Sequence, residues 1–355
     1  MHSSTSNFER PIPSGSWKSI LWASLVATFA IALAWELYTR SQGYRPTLND
    51  SFALWADERE KLEDDSLVLI GASRTLFNID LEILEKGLGR KPLQLAFTGS
   101  SFYPMLEDLA NDEAFKGTII IGVVPPMLPV PGGPLMDRPK EALRVWKRST
   151  ISESIGQDIA LFLEERIAFL KQEDLTLDIL LGKLPIANRP NALIAPPSPP
   201  YFATIERNRR YRMIDACAQP GELQSQVQQT WPPLFSPPPP PSFVDPDVFA
   251  KQMMEAGIAH LNNVVNLVRR VKDRGCKVVF IRHPSSDLLR ELERKGAPRE
   301  QIWDPLLERT QVPGIHFEDH EELAGFPCPE WSHLSNEDSI EYTKRLIPHL
   351  KTALQ

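Results

Sequence analysis

The sequence predicts an α/β domain, a parallel sheet with helices on both faces, carried by one N-terminal transmembrane helix and interrupted by a long insertion. Three observations lead there. Apolar runs without alternation, such as "SLVLIGAS" and "GTIIIGVV", take turns with amphipathic stretches closed by glycine, and strands of that kind are buried on both faces. One segment near the N-terminus is apolar on every side. Residues 127–246 concentrate the proline and break the strand–helix alternation.

The 355 residues suffice for one large domain with insertions or two modest ones. Composition is that of a folded globular protein, 42% hydrophobic and 24% charged. The formal net charge of -7 and pI near 5.6 argue against a general nucleic-acid binder, which would carry a basic excess. Cys217, Cys276 and Cys328 match no zinc or CxxC spacing. Cys276 opens a buried strand and reads as an inert core thiol. A Cys217–Cys328 disulfide stays open as a possibility, because spacing alone carries no geometry.

Residues 1–17 form an N-terminal tail. The segment at 18–38, within "WKSILWASLVATFAIALAWELY", has no charge between Lys18 and Glu36. Its strictly apolar stretch approaches the ~20 residues that span a bilayer. Trp17, Trp35 and Tyr38 are placed as interfacial aromatics. An uncleaved anchor is the preferred reading, with a signal peptide cut near "ALA" (residues 32–34) as the rival. Arg10 and Lys18 precede the segment and Arg40 and Arg45 follow it, so charge does not decide the orientation. Either reading puts the rest of the chain outside the cytoplasm, as a single-pass protein of the inner (cytoplasmic) membrane facing the periplasm or cell exterior.

Residues 39–65 read as a linker with a short helix in "FALWADEREKLED". The α/β domain is expected in two pieces, 66–126 and 247–355. Its strands are "SLVLIGAS", "KPLQLAF", "GTIIIGVV", "CKVVFIRHP" and the short "GIHFEDH". Helices lie between them, the long one in "DVFAKQMMEAGIAHLNNVVNLVRRVKDRG" and the last in "NEDSIEYTKRLIPHLKTAL", where Pro348 should kink or end it. Right-handed crossovers put all strand C-termini on one edge, where ligands bind. The insertion, 127–246, is helical to about residue 183 and then proline-rich; a spacer or lid is expected there, on the surface, with a polyproline ligand as the alternative.

Ser73 ends the first strand, at that edge. Near the other terminus "PEWSHLS" places Glu330 three residues before His333. A carboxylate at that distance can reach the imidazole of its own turn, fix its tautomer and leave the other nitrogen for a serine. A serine hydroxyl needs such a base at neutral pH. Arg74, next to the nucleophile, is a candidate for binding an anionic substrate group, a salt bridge being the alternative reading. Arg282, ending the fourth strand in "VFIRHP", is a second. His316 and His320 in "HFEDH" share a strand face, but a solvated loop is preferred over a metal site, and neither metal nor cofactor is expected.

These motifs resemble the SGNH, or GDSL-like, hydrolases. The resemblance spans residues 66–124 and 247–355. "GAS" at 71–73 corresponds to the nucleophile motif, with Ala72 for the usual Asp. "EWSH" at 330–333 corresponds to Asp-x-x-His, with Glu for Asp. Gly99 in "LAFTGSS" stands where the family places a backbone oxyanion donor, to act together with the N–H of Ser73. In "GVVPP" Gly122 fits the Gly-x-Asn motif, but Val124 replaces the asparagine donor. The resemblance implies a flavodoxin-like sheet and acyl-ester chemistry. The "GASR" form, anchor and insertion are similar to the membrane-anchored alginate O-acetyltransferase and D-alanyl-transfer accessory proteins. That implies an esterase or O-acyltransferase acting on cell-envelope or exported polysaccharide, with a membrane acyl-transfer protein as a possible partner. The alternative is a non-catalytic SGNH-like domain that binds glycan or scaffolds an export complex.

Overall fold

The computed structural model describes residues 16–148, 150–175, 177–182, 199–235 and 243–355. The tail before Ser16 and the proline run at 237–241 lie outside them. In chain order, α1 (Trp17–Ser41) and α2 (Phe52–Arg59) precede β1 (Leu67–Ile70). Then come α3 (Ser73–Asn78), α4 (Leu81–Leu88), β2 (Pro92–Gln94), α5 (Tyr103–Asn111) and β3 (Thr118–Gly122). The insertion contributes α6 (Pro134–Arg148), α7 (Ile151–Glu164), the short α8 (Gln172–Leu175) and α9 (Leu177–Gly182), strands β4 (Ala203–Ile205) and β5 (Tyr211–Met213), α10 (Asp215–Ala218) and α11 (Glu222–Leu234). The chain closes with α12 (Pro246–Asp273), β6 (Lys277–Arg282), α13 (Asp287–Gly296), α14 (Arg299–Thr310), β7 (Gly314–His316), α15 (Glu321–Ala324) and α16 (Asn336–Ala353).

Five parallel strands form one sheet in the order β2-β1-β3-β6-β7. Alternate residues of each strand feed opposite faces. Val68, Ile70, Ile119, Ile121, Val278 and Phe280 pack with Trp55 and with side chains of α5, α12 and α14. Leu67, Leu69, Ile120, Val279, Ile281 and Ile315 pack with α4, α15 and α16. Both faces are therefore covered, as the unbroken apolar runs require. The chain turns outward in opposite directions from β1 and β3, so the crevice at their C-terminal ends is the switch point of the sheet. Ser73 sits there. The turn into α3 needs glycine: Gly71 has φ 154°, and a Cβ on it would lie 2.2 Å from Thr75 Oγ1 and 2.9 Å from the Gly122 carbonyl.

Three expectations are corrected. Residues 48–59 are no linker; Leu48, Leu54, Trp55, Glu58 and Arg59 are buried, and the Trp55 indole donates to the Leu95 carbonyl (3.2 Å). Residues 199–235 of the insertion are no surface spacer, while the proline-rich stretches within 183–198 and 236–242 lie outside the described residues. Ala203, Ile205, Tyr211, Met213, Cys217, Val227 and Trp231 join Leu76 and Phe77 of α3 in a third apolar cluster above the strand ends. Arg209, wholly buried, pairs with Asp50 at 2.7 Å and donates to the Gln94 carbonyl (2.8 Å), clamping hairpin, N-terminal segment and sheet together. Finally, α16 runs through Pro348 to Ala353. The proline removes one N–H, but the helix face bearing Tyr342, Leu346 and Leu350 is fully buried on both sides of it. The three cysteines are free and buried, so Cys217 and Cys328 are not paired.

The N-terminal helix α1 is long and apolar enough to cross a membrane, with mean hydropathy 1.9 over an 18-residue window and none of that window buried in the protein.

Candidate active site

Ser73 is the first residue of α3, with Ala72 as its N-cap. It is half-buried at the mouth of the crevice. The N–H groups of a helix's first turn have no acceptor within the helix, so the backbone N–H of Ser73 is available at the crevice. The EWSH segment comes from the opposite end of the chain and is bent by Trp331, whose φ of 76° is left-handed. That turn folds Glu330 back onto His333. His333 Nδ1 lies 2.9 Å from Glu330 Oε1, which also accepts the His333 backbone N–H at 2.5 Å. His333 Nε2 lies 2.8 Å from Ser73 Oγ. An ionised carboxylate only accepts, so the proton belongs on Nδ1 and Nε2 accepts from the serine. Glu330 and His333 are 0% and 1% exposed, so water does not compete for these bonds.

The imidazole is held between aromatics. Phe77 stacks on it at 4.2 Å between ring centroids, and Trp231 meets it edge-on at 5.7 Å. Asn78 Oδ1 accepts the Leu334 N–H (3.0 Å), tying the end of α3 to the residue after the histidine. Trp231 of α11 also donates its indole N–H to Glu330 Oε2 and to the Glu330 carbonyl, each at 2.7 Å. Gln228, one turn earlier, donates to the Pro329 carbonyl (2.9 Å). The insertion thus holds the turn that carries Glu330 and His333. Sequence reading missed Trp231 because "TWPPLF" has no periodicity and sits among prolines.

Ser73, His333 and Glu330 are brought together as expected. Gly99 lies in the exposed turn after β2 at φ 59°. Its neighbours Ser100 and Ser101 line a small cleft with Ala72, Gly122, Val124 and Phe102. Val124 contributes only aliphatic side-chain surface to it.

Arg74 and Arg282 are corrected. Neither faces the crevice: they are 1% and 0% exposed and both pair with Glu293 of α13, at 2.7 and 2.5 Å. Arg74 also donates weakly to Ser332 Oγ (3.4 Å), next to His333. Burial works against the charged form of Glu293, but the charges of Arg282 and Arg74 and the hydrogen bonds from Arg74 and Ser285 prevail and hold its carboxyl at about 2. Burial brings Arg282 down to about 10 against the support of Glu293. Burial, then the charges of Arg74 and Arg282, hold His283 down at about 3, so it stays neutral. The cluster is a structural ion pair beneath the site. Removing one member of such a buried pair costs about 3–5 kcal/mol.

His316 and His320 do not converge. His316 is buried against Trp303 and Phe317. His320 instead meets Glu322 and His349, whose ligand atoms all lie within 4.8 Å. This partly exposed trio could hold a cation, but it belongs to α15 and the far half of α16. Compared with family models, curated proteins and solved structures, the chain matches none of them.

Proposed function

We propose that this protein is a membrane-tethered, extracytoplasmic serine esterase or O-acyltransferase with an SGNH-type, flavodoxin-like core, acting on cell-envelope or exported polysaccharide. The observation that carries the chemistry is the continuous Ser73–His333–Glu330 chain of contacts at 2.8 and 2.9 Å, at the switch point of the sheet. The strand order supports the fold assignment: counted within the sheet it is 2-1-3-4-5, that of flavodoxin-like proteins. The anchor and the resemblance of the "GAS" and "EWSH" motifs support the location and substrate class.

The reaction follows from the geometry. Ser73 Oγ attacks the acyl carbonyl of the donor ester and passes its proton to His333 Nε2. Glu330 balances the imidazolium charge. The oxyanion forms at the N–H of Ser73, with the N–H of Gly99 assigned as the second donor. When the C–O bond to the leaving group breaks, His333 returns the proton to the leaving oxygen. Water or a sugar hydroxyl then enters by the same route and gives its proton to His333; as the acyl–Oγ bond breaks and the acyl group leaves on the new oxygen, His333 returns that proton to Ser73 Oγ. No step is assigned to a metal or cofactor.

A second reading, a non-catalytic glycan-binding or scaffold domain, is favoured by Val124, because loss of one oxyanion donor costs ~10²–10³ in rate. A fluorophosphonate probe separates the two. The expected result is covalent labelling and an acyl burst with an activated acetyl ester, both lost in Ser73→Ala and His333→Ala. An unlabelled, folded wild-type protein would sink the enzyme reading.

A further inference from the structure

Helix α7 carries apolar residues on both of its sides. Leu161 and Glu164 face the protein and are buried, Glu164 accepting the backbone N–H of Asn49 (2.9 Å). On the opposite side Ile155, Ile159, Phe162 and Leu163 are 57%, 58%, 53% and 39% exposed. At about 100° per residue these four occupy an arc of roughly 100°, the width of a stripe that normally faces a core.

The position of this stripe is set by α1. Residues 19–35 carry no charge, a length of about 26 Å, close to the ~30 Å hydrocarbon core. Glu36 and Arg40 therefore lie at the interface, where Trp35 stacks on Tyr38. The chain just after α7 is bonded to that level. Glu36 accepts the backbone N–H of Ala168 (3.0 Å) and Phe169 (3.2 Å), and Arg40 donates to the Arg166 carbonyl (3.0 Å). The Arg166 guanidinium lies 3.8 Å from the centre of the Phe162 ring and donates to the Phe162 carbonyl, an apolar ring under a charge that can remain in the headgroups. Ile179 and Leu181 of α9, shortly beyond, are exposed as well.

We infer that α7 lies in the membrane plane with Ile155, Ile159, Phe162 and Leu163 inserted among the lipids of the bilayer that α1 crosses, so that the domain is held at a set orientation. The occupant of the stripe is lipid because its C-terminal end is bonded to the interfacial turn of α1. The helix has no Lys or Arg before Arg166 in its stripe, so insertion rests on apolar area and not on anionic headgroups. This rests on the proposed anchor, and it means that the catalytic crevice is aimed by two membrane contacts instead of swinging on a tether.

The test uses the full chain in phosphatidylcholine nanodiscs. Ile159→Cys carries an NBD label, with Phe162→Cys as a second position and Glu291→Cys on the exposed side of α13 as the control. Native Cys217, Cys276 and Cys328 are buried, and burial pushes the Cys217 thiol up to about 12, so they compete poorly for the label. Doxyl groups at the top of the acyl chains should remove about half of the emission at 159 and 162 and little at 291, given insertion of ~5–10 Å. Adding anionic lipid should leave that loss unchanged. Equal, small quenching at all three positions in a chain that co-purifies with the disc overturns the inference alone. Label shielding that depends on protein concentration and not on doxyl lipid assigns the stripe to a second copy and also overturns it. A full chain that leaves the disc overturns the anchor together with the inference.

Discussion

Replacing Trp231 with phenylalanine keeps most of the buried ring and deletes one N–H. That N–H serves two acceptors, the Glu330 carbonyl and Glu330 Oε2, both at 2.7 Å. Glu330 Oε1 keeps its two bonds from His333. With Glu330 wholly buried, no water replaces the lost donor, and a hydrogen bond to a charged group contributes about 1.5–3 kcal/mol. If that contribution is felt fully when His333 becomes cationic, the rate falls roughly 10- to 150-fold. Glu330 does not touch substrate in the proposed reaction, so kcat and kcat/KM should fall together while KM holds. The assay is steady-state turnover of an activated acetyl ester, with circular dichroism and thermal melting to confirm that the variant is folded. A folded Trp231→Phe protein with unchanged kcat refutes the idea that the insertion supports the acid–base pair.

Three other outcomes are expected. Glu293→Gln should lose about 3–5 kcal/mol at neutral pH by leaving Arg74 and Arg282 unpaired. It should also flatten the acid limb of stability. The wild-type carboxyl, held at about 2, contributes fully above its ordinary value of 4.5 and loses that contribution as pH falls toward 2. His283, neutral down to about 3, adds a loss in the same direction that begins below 6.5. Parallel stability curves for the two proteins between pH 5 and 2 would contradict this. Thiol titration should find no fast-reacting group in the native protein and all three after denaturation; a single thiol after denaturation would mean a Cys217–Cys328 disulfide. A C-terminal alkaline phosphatase fusion should be active and a GFP fusion dark, and the reverse pattern would remove the extracytoplasmic assignment.

The centre of the sheet was readable because β1, β3 and β6 are buried on both faces, so each carries an uninterrupted apolar run, LVLI, III and VVFI. The candidate trio was readable because its members sit at strand and turn boundaries with short fixed spacings, "GAS" and "EWSH". Arg74 and Arg282 were misjudged for an equally physical reason. A charge at a strand end normally faces the ligand edge, and its partner here is hidden in "DLLRELERKG", where Glu293 looks like any solvated charge. A signal did exist. Glu293 falls four residues after Leu289, which is fully buried, and therefore shares its face. The hairpin β4–β5 has strands of three residues, too short for a period to register. Its docking depends on Arg209 and Arg210 finding Asp50 and Asp80 across the fold. Such long-range ion pairs leave no local pattern.

The serine and its proposed base stand 260 residues apart in the chain. On a ribosome adding ~5–20 residues per second, Ser73 emerges roughly 13–50 s before the histidine proposed to activate it. At the start of that interval only β1 of the sheet has been made; β2 and β3 follow, and β6, β7 and the turn at Trp331 arrive only toward its end. A nascent or prematurely terminated chain therefore carries an idle alcohol. On the proposed reading the serine stays unactivated until the EWSH turn has been made and docked beside it, so folding of that turn is the step that arms it.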